Sequence, residues 1–230
     1  MDKKVAFILH GYGVNASYVR KIAYAYQEHV DDLLVIAPQA PELCSGENHG
    51  AEGFLPMPQQ IVEGSLVSSV DLDPERRQWF GIETSDMSVM SARMVNVVKR
   101  INAFVDDICS EYNLSRSDAA MTGFSQGGSV ALCAAYLGSA AYKCAISHSS
   151  IFFRFPEFPS TCPTLFIYGN NDEEFSVQTF ELTAQNIKEH VDDLEVIEID
   201  NLTHKTDERS REQMALYLCS PGRGASILRG

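Results

Sequence analysis

The chain has 230 residues, 45% of them hydrophobic, enough for one substantial core, and its formal net charge is -13 at pH 7. Nucleic acid would be repelled by such a chain, and attachment to anionic membranes through charge alone is disfavoured. The six cysteines (Cys44, Cys109, Cys133, Cys144, Cys162, Cys219) show no C-x-x-C spacing and mostly lie in apolar segments, which reads as reduced thiols in a cytoplasmic protein. The apolar run after Met1-Asp2-Lys3-Lys4 covers only residues 5–9, shorter than a signal-peptide core, and no stretch reaches the ~18 apolar residues of a membrane span.

Short strand-like runs alternate with helix-like runs, the pattern of an α/β architecture with a mainly parallel central sheet flanked by helices. Residues 5–9 read as a buried strand, 18–29 as a helix and 33–37 as the next strand, ended by Pro38. Residues 41–84 break this rhythm, mixing Gly46, Gly50, Gly53, Pro56 and Pro58 with apolar side chains; a loop this long reads as a flap-like insertion that covers or shapes a site. The clearest helix spans 86–112, with Met90, Met94, Val97, Val98, Ile101, Phe104, Val105 and Ile108 at three- and four-residue spacing. A strand at 119–122, an alanine-rich helix at 127–137, strands at 143–147, 164–168 and 194–199, and a last helix at 207–218 follow. There is no internal repeat, so a single domain over 1–230 is expected, with 220–230 a loosely held tail.

Two readings compete for "VAFILHGYGVNA", residues 5–16. Gly11-x-Gly13-x-x-Ala16 after a strand satisfies a dinucleotide fingerprint, and the same letters describe a glycine loop that can hold an oxyanion. The first needs an acid at the end of the second strand, but Asp31 and Asp32 precede 33–37 and Pro38-Gln39-Ala40 follow it. The loop therefore reads as one that approaches a reacting carbonyl, with His10 organising it.

Gly123-Phe124-Ser125-Gln126-Gly127 matches the G-x-S-x-G nucleophile elbow and stands between a predicted strand and a predicted helix. The sharp turn strains the serine backbone and leaves no room for side chains two positions away. It also sets Ser125 at a helix N-terminus, where the Gln126 N–H is a natural oxyanion donor. A serine needs a base and an orienter for that base. "IYGNNDEEF" delivers Asp172 after a strand, with Glu173 and Glu174 as adjacent alternatives, and "IDNLTHKTDE" delivers His204 just before the last helix. His190 falls in an amphipathic stretch and is expected on a solvent face; His29 and His49 read as surface or loop residues. His148 either lines the site or is a plain polar strand end.

The segments "ILHGYG", "APQAPE", "QWFGIE", "TGFSQGGSVAL", "IYGNND" and "NLTHKTDE" make nearly the whole chain resemble the phospholipase/carboxylesterase family, α/β-hydrolases that include acyl-protein thioesterases and small carboxylesterases. The resemblance implies Ser125 as nucleophile, Asp172 as orienting acid, His204 as base, the backbone N–H groups of Tyr12 and Gln126 as oxyanion hole, and Trp79 and Phe80 near the substrate. It implies hydrolysis of an acyl ester, a lysophospholipid or an S-acylated substrate, by a monomer or homodimer. Three segments depart from the family pattern: Tyr168 replaces a histidine and Ser176 a proline around the acid, Asn201-Leu202-Thr203 replaces glycines before the base, and Ser147-His148 replaces a Ser-Gly pair. The apolar content of 41–70, including Phe54 and Leu55, fits an acyl groove or a purely structural flap. No H-E-x-x-H or comparable spacing is present, so no metal and no cofactor are expected. The rival readings are a non-catalytic binding protein on a hydrolase fold and a hydrolase of peptides or lactones.

Overall fold

A computed structural model describes residues 4–44, 61–62 and 76–222. Most of the 41–84 insertion, including Phe54 and Leu55, and most of the expected tail lie outside the described residues. In chain order the elements are β1 (Lys4–Leu9), α1 (Arg20–His29), β2 (Leu33–Ile36), β3 (Glu42–Leu43), β4 (Ile61–Val62), β5 (Arg77–Gln78), α2 (Met87–Glu111) and β6 (Ala119–Phe124). There follow α3 (Gln126–Leu137), β7 (Cys144–His148), β8 (Thr164–Gly169), α4 (Val177–Lys188), β9 (Leu194–Ile199) and α5 (Glu208–Cys219). Seven strands form one sheet in the order β4-β2-β1-β6-β7-β8-β9. Among the described strands of this sheet, only the two-residue β4 runs antiparallel to its neighbour. β3 and β5 pair as a separate antiparallel ribbon.

Period-two alternation in the strands builds a core on each face of the sheet. From β1, Val5, Phe7 and Leu9 pack with α2, α3 and α4 on one face, while Ala6 and Ile8 pack with α1 and α5 on the other. α2 starts where the Asp86 carboxylate accepts the Ser88 N–H at 2.8 Å, and it buries Met94, Val97, Val98, Ile101, Val105 and Ile108 along one stripe. α3 is buried on nearly every side, which explains its alanines and glycines: it lies against the sheet under other layers and presents no polar face to water.

The sequence pattern anticipates every strand and α-helix of four or more residues except α4. That helix buries Phe180, Thr183, Asn186 and Ile187, two of them polar, so its apolar stripe is thin. Its start is set by Ser176, whose Oγ accepts the Thr179 N–H at 3.2 Å.

β1 is the point where the order of strands reverses. The chain leaves it for β2 on one side and later returns to β6 on the other, in register Leu9↔Gly123. The crevice beyond the C-terminal ends of β1 and β6 is where ligands bind in open parallel sheets. Here the backbones approach so closely that a Cβ on Gly127 would lie 2.3 Å from the Leu9 carbonyl oxygen, and one on Gly123 would lie 2.1 Å from the Gly127 oxygen. The Leu9 backbone is held in the β1–β6 pair and cannot yield without breaking it. Gly127→Ala is therefore expected to cost about 3 kcal/mol or more of stability by denaturant titration; a wild-type midpoint would show that α3 can slide away from β1.

Candidate active site

The β6–α3 turn holds Ser125 at φ 53, ψ -122, a backbone conformation that costs a non-glycine residue about 1–3 kcal/mol. The turn is pinned from both directions: the Ser125 N–H donates to the His148 carbonyl at 2.8 Å, and its own carbonyl accepts the Ser129 N–H at 3.1 Å. Ser125 Oγ is thereby presented above the sheet edge, 2.9 Å from His204 Nε2. His204 Nδ1 lies 2.7 Å from Asp172 Oδ2, and the Asp172 side chain has no accessible surface. Burying that carboxylate is tolerable because its other oxygen accepts the N–H groups of Glu174 at 2.9 Å and Phe175 at 3.0 Å. An ionised carboxylate only accepts, so Nδ1 carries the proton and Nε2 is free to accept from the serine hydroxyl. Phe124 and Phe175 flank the His204 ring at centroid distances of 5.0 and 5.7 Å.

The glycine loop after β1 runs directly beside the serine: a Cβ on Gly11 would lie 3.3 Å from Ser125 Cβ. It is held by three polar clasps. Gly13 N–H donates to the Arg77 carbonyl at 2.8 Å, which ties the loop to β5. His10 Nδ1–H donates to the Gly11 carbonyl at 2.8 Å while Nε2 accepts the Ala40 N–H at 3.0 Å, so the ring must be neutral. Trp79 Nε1–H donates to the His10 carbonyl at 2.7 Å. The Gln126 side chain joins this assembly to the elbow, its Oε1 accepting the Trp79 N–H and its Nε2 donating to the Phe80 carbonyl, both at 2.8 Å. The Gln126 main-chain N–H, in the first turn of α3, has no carbonyl of that helix before it to bond.

Ser125, Asp172 and His204 are thus brought together, with the loop carrying Tyr12 and the first residue of α3 beside them. Trp79 and Phe80 stand behind this group: Trp79 has no accessible surface and Phe80 almost none, so in this conformation they shape the loop and the elbow from beneath. His10 organises the loop as the sequence implied. His190, expected on a solvent face, is half-buried, its ring edge-on against Phe158 at 4.6 Å. Four cysteines are buried, Cys44 is half-buried and Cys219 is exposed, and all six are free. Among the described residues, no group of three or more His, Cys, Asp or Glu could share a metal ion, and no helix is long and apolar enough to cross a membrane.

A family model described as Phospholipase/Carboxylesterase matches residues 55–219. The chain belongs to this family. Its fold is the α/β-hydrolase fold. It superimposes on the crystal structure of esterase PE8 with a TM-score of 0.74 at 20% identity, covering 94% of this chain and 92% of that one. SOBER1 of Arabidopsis thaliana gives a TM-score of 0.70 at 18% identity over 95% and 98% of the two chains. A Bacillus cereus carboxylesterase gives 0.64 at 17% identity over 94% and 87%.

The departures from the family pattern have local physical reasons. Asn201, standing where glycines are usual, has φ 58, a left-handed conformation that asparagine tolerates. Ser176, in place of a proline, caps α4. Tyr168 stacks on Phe180 at 4.8 Å and donates its hydroxyl to Glu198 on β9 at 3.1 Å. His148 is fully buried behind the elbow, its Nδ1 3.1 Å from Ser149 Oγ and its Nε2 without a hydrogen-bond partner among the described residues.

Burial lowers the pKa of His148 to about 3 and that of His10 to about 4, from 6.5 for a free imidazole. Between pH 6.5 and these values the unfolded chain binds more protons than the folded one, so folded stability falls as pH falls. His148→Leu removes one of these sites. From pH 7 to pH 4.5 the variant should gain about 2–3 kcal/mol relative to wild type in urea titrations; a pH-independent difference would contradict the neutral, buried state of His148.

Proposed function

We propose that the protein is a serine hydrolase that cleaves carboxylic esters or thioesters of acyl chains through an acyl-enzyme. The observation that carries this reading is the continuous chain from Ser125 Oγ through the His204 ring to Asp172, at 2.9 and 2.7 Å. These distances are those of a nucleophile, a base and an orienter already in hydrogen-bond contact. Membership of the phospholipase/carboxylesterase family supports the same substrate class.

In the proposed reaction, His204 Nε2 takes the proton of Ser125 as Oγ attacks the acyl carbonyl. The carbonyl oxygen becomes an oxyanion held by the N–H groups of Tyr12 and Gln126, the second of which also has the α3 N-terminus behind it. When the bond to the leaving alcohol or thiol breaks, the His204 imidazolium returns the proton to it. Water then attacks the acyl-serine, His204 accepts its proton, and the acid leaves as Ser125 regains a hydrogen. Asp172 stays ionised throughout and stabilises the imidazolium. Trp79 and Phe80 serve the substrate by fixing the loop and the elbow that receive it. Acyl esters, lysophospholipids and S-acylated molecules are the substrates this reading admits. The free thiols suit a reducing compartment such as the cytoplasm.

A series of p-nitrophenyl esters of graded chain length, measured beside a thioester, tests the proposal. Ser125→Ala and His204→Ala are each expected to lower kcat at least about a thousandfold, with Asp172→Asn losing somewhat less. Hydrolysis that persists in Ser125→Ala would overturn the serine mechanism, and a flat response to chain length would count against an acyl-binding role for residues 41–70.

A further inference from the structure

His204 sits between β9 and α5 on a segment with no helix or strand of its own. The flanking residues are tied down piecemeal. Asn201 N–H donates to Asn170 Oδ1 at 2.8 Å, and the Leu202 carbonyl accepts the Asn171 N–H at 3.1 Å. The Asp200 and Thr206 carbonyls accept from Arg209 and Arg211 at 3.0 and 3.1 Å. The main-chain N–H of His204 itself donates to Glu173 Oε2 at 3.0 Å. Glu173 is the residue after Asp172, whose Oδ1 closes the local turn by accepting the Glu174 and Phe175 N–H groups. Two adjacent carboxylates therefore hold one histidine at two points, Asp172 on the ring and Glu173 on the backbone.

We propose that Glu173 is a positioning residue for the base: it fixes the backbone of His204 so that Nε2 stays within reach of Ser125 Oγ. The inference rests on the reading of His204 as general base. The Asp172 bond and the flanking Phe124 and Phe175 rings orient the imidazole but leave the main chain at residue 204 free to shift between its tied neighbours. A second anchor at the main-chain nitrogen, across Cα and Cβ from the ring, removes that freedom. Displacement of about 1 Å at a base can cost up to roughly a hundredfold in rate. Glu173 is exposed, so its bond contributes little to global stability and much to where one loop rests. Its role requires an acceptor oxygen and not a charge, which separates it from Asp172.

The test compares Glu173→Ala and Glu173→Gln with wild type and Ser125→Ala on the ester that wild type turns over fastest. Loss of the anchor in Glu173→Ala should lower kcat about three- to tenfold, with KM within about twofold and the thermal midpoint unchanged. Glu173→Gln retains an amide oxygen at the same reach and should recover most of kcat. Unchanged kcat in Glu173→Ala, a loss expressed in KM alone, a Gln variant as impaired as Ala, or a parallel loss of folded protein in both variants would each overturn the proposal. These outcomes leave the serine-hydrolase reading standing, since that reading falls only if wild type itself has no turnover or Ser125→Ala retains it.

Discussion

The backbone of Ser125 is the constraint on which the surrounding architecture depends. A serine at φ 53, ψ -122 is uphill in isolation, and it persists because neighbours on every side leave it no alternative. β6 delivers it, α3 starts immediately after it, the β7 carbonyl of His148 accepts its N–H, and the loop after β1 closes against it. The glycines at 11, 123 and 127 follow from that crowding: each stands where a methyl group would meet Phe124 and Ser125, the α3 backbone or the β1 backbone. The strain is thus maintained by a buried part of the molecule, and it leaves the Ser125 hydroxyl 2.9 Å from His204 Nε2.

Around this point two polar assemblies divide the work. One, built on Gln126, Trp79 and His10, locks the elbow to the glycine loop through hydrogen bonds that are all buried. Burial makes each of those bonds costly to break and keeps the His10 ring neutral, so the assembly holds one geometry over the ordinary pH range. The other, built on Asp172, Glu173 and His204, bridges the loops after β8 and β9 and is partly open to solvent. The first is suited to holding an oxyanion in a fixed place, the second to a base that must gain and lose a proton in contact with water.

Much of this was legible in the sequence, for identifiable reasons. The central strands β1, β7 and β8 show as runs of mostly apolar residues because both faces of a parallel sheet are covered there. Ser125, Asp172 and His204 stand out because the elbow needs glycines two positions away, and the acid and histidine follow late strands. What escaped the sequence depends on contacts between distant segments. The strands β3, β4 and β5 are two residues each and form through pairing alone. α4 buries as many polar as apolar side chains, so its period is faint. Trp79 and Phe80 read as residues at the substrate, whereas the structure buries them: only the fold brings an indole N–H to the His10 carbonyl, 69 residues away in sequence. The bond from His204 N–H to Glu173 is invisible in sequence for the same reason, since it joins two loops 31 residues apart.

The central claim is that Ser125 is a nucleophile made reactive by His204. It is tested most directly by treating the folded protein with a fluorophosphonate and locating the adduct by peptide mass spectrometry. The account predicts one phosphonyl group, on Ser125, and slow or absent labelling when His204 is replaced by alanine. An adduct on another residue, or labelling of Ser125 at an undiminished rate without His204, would contradict it.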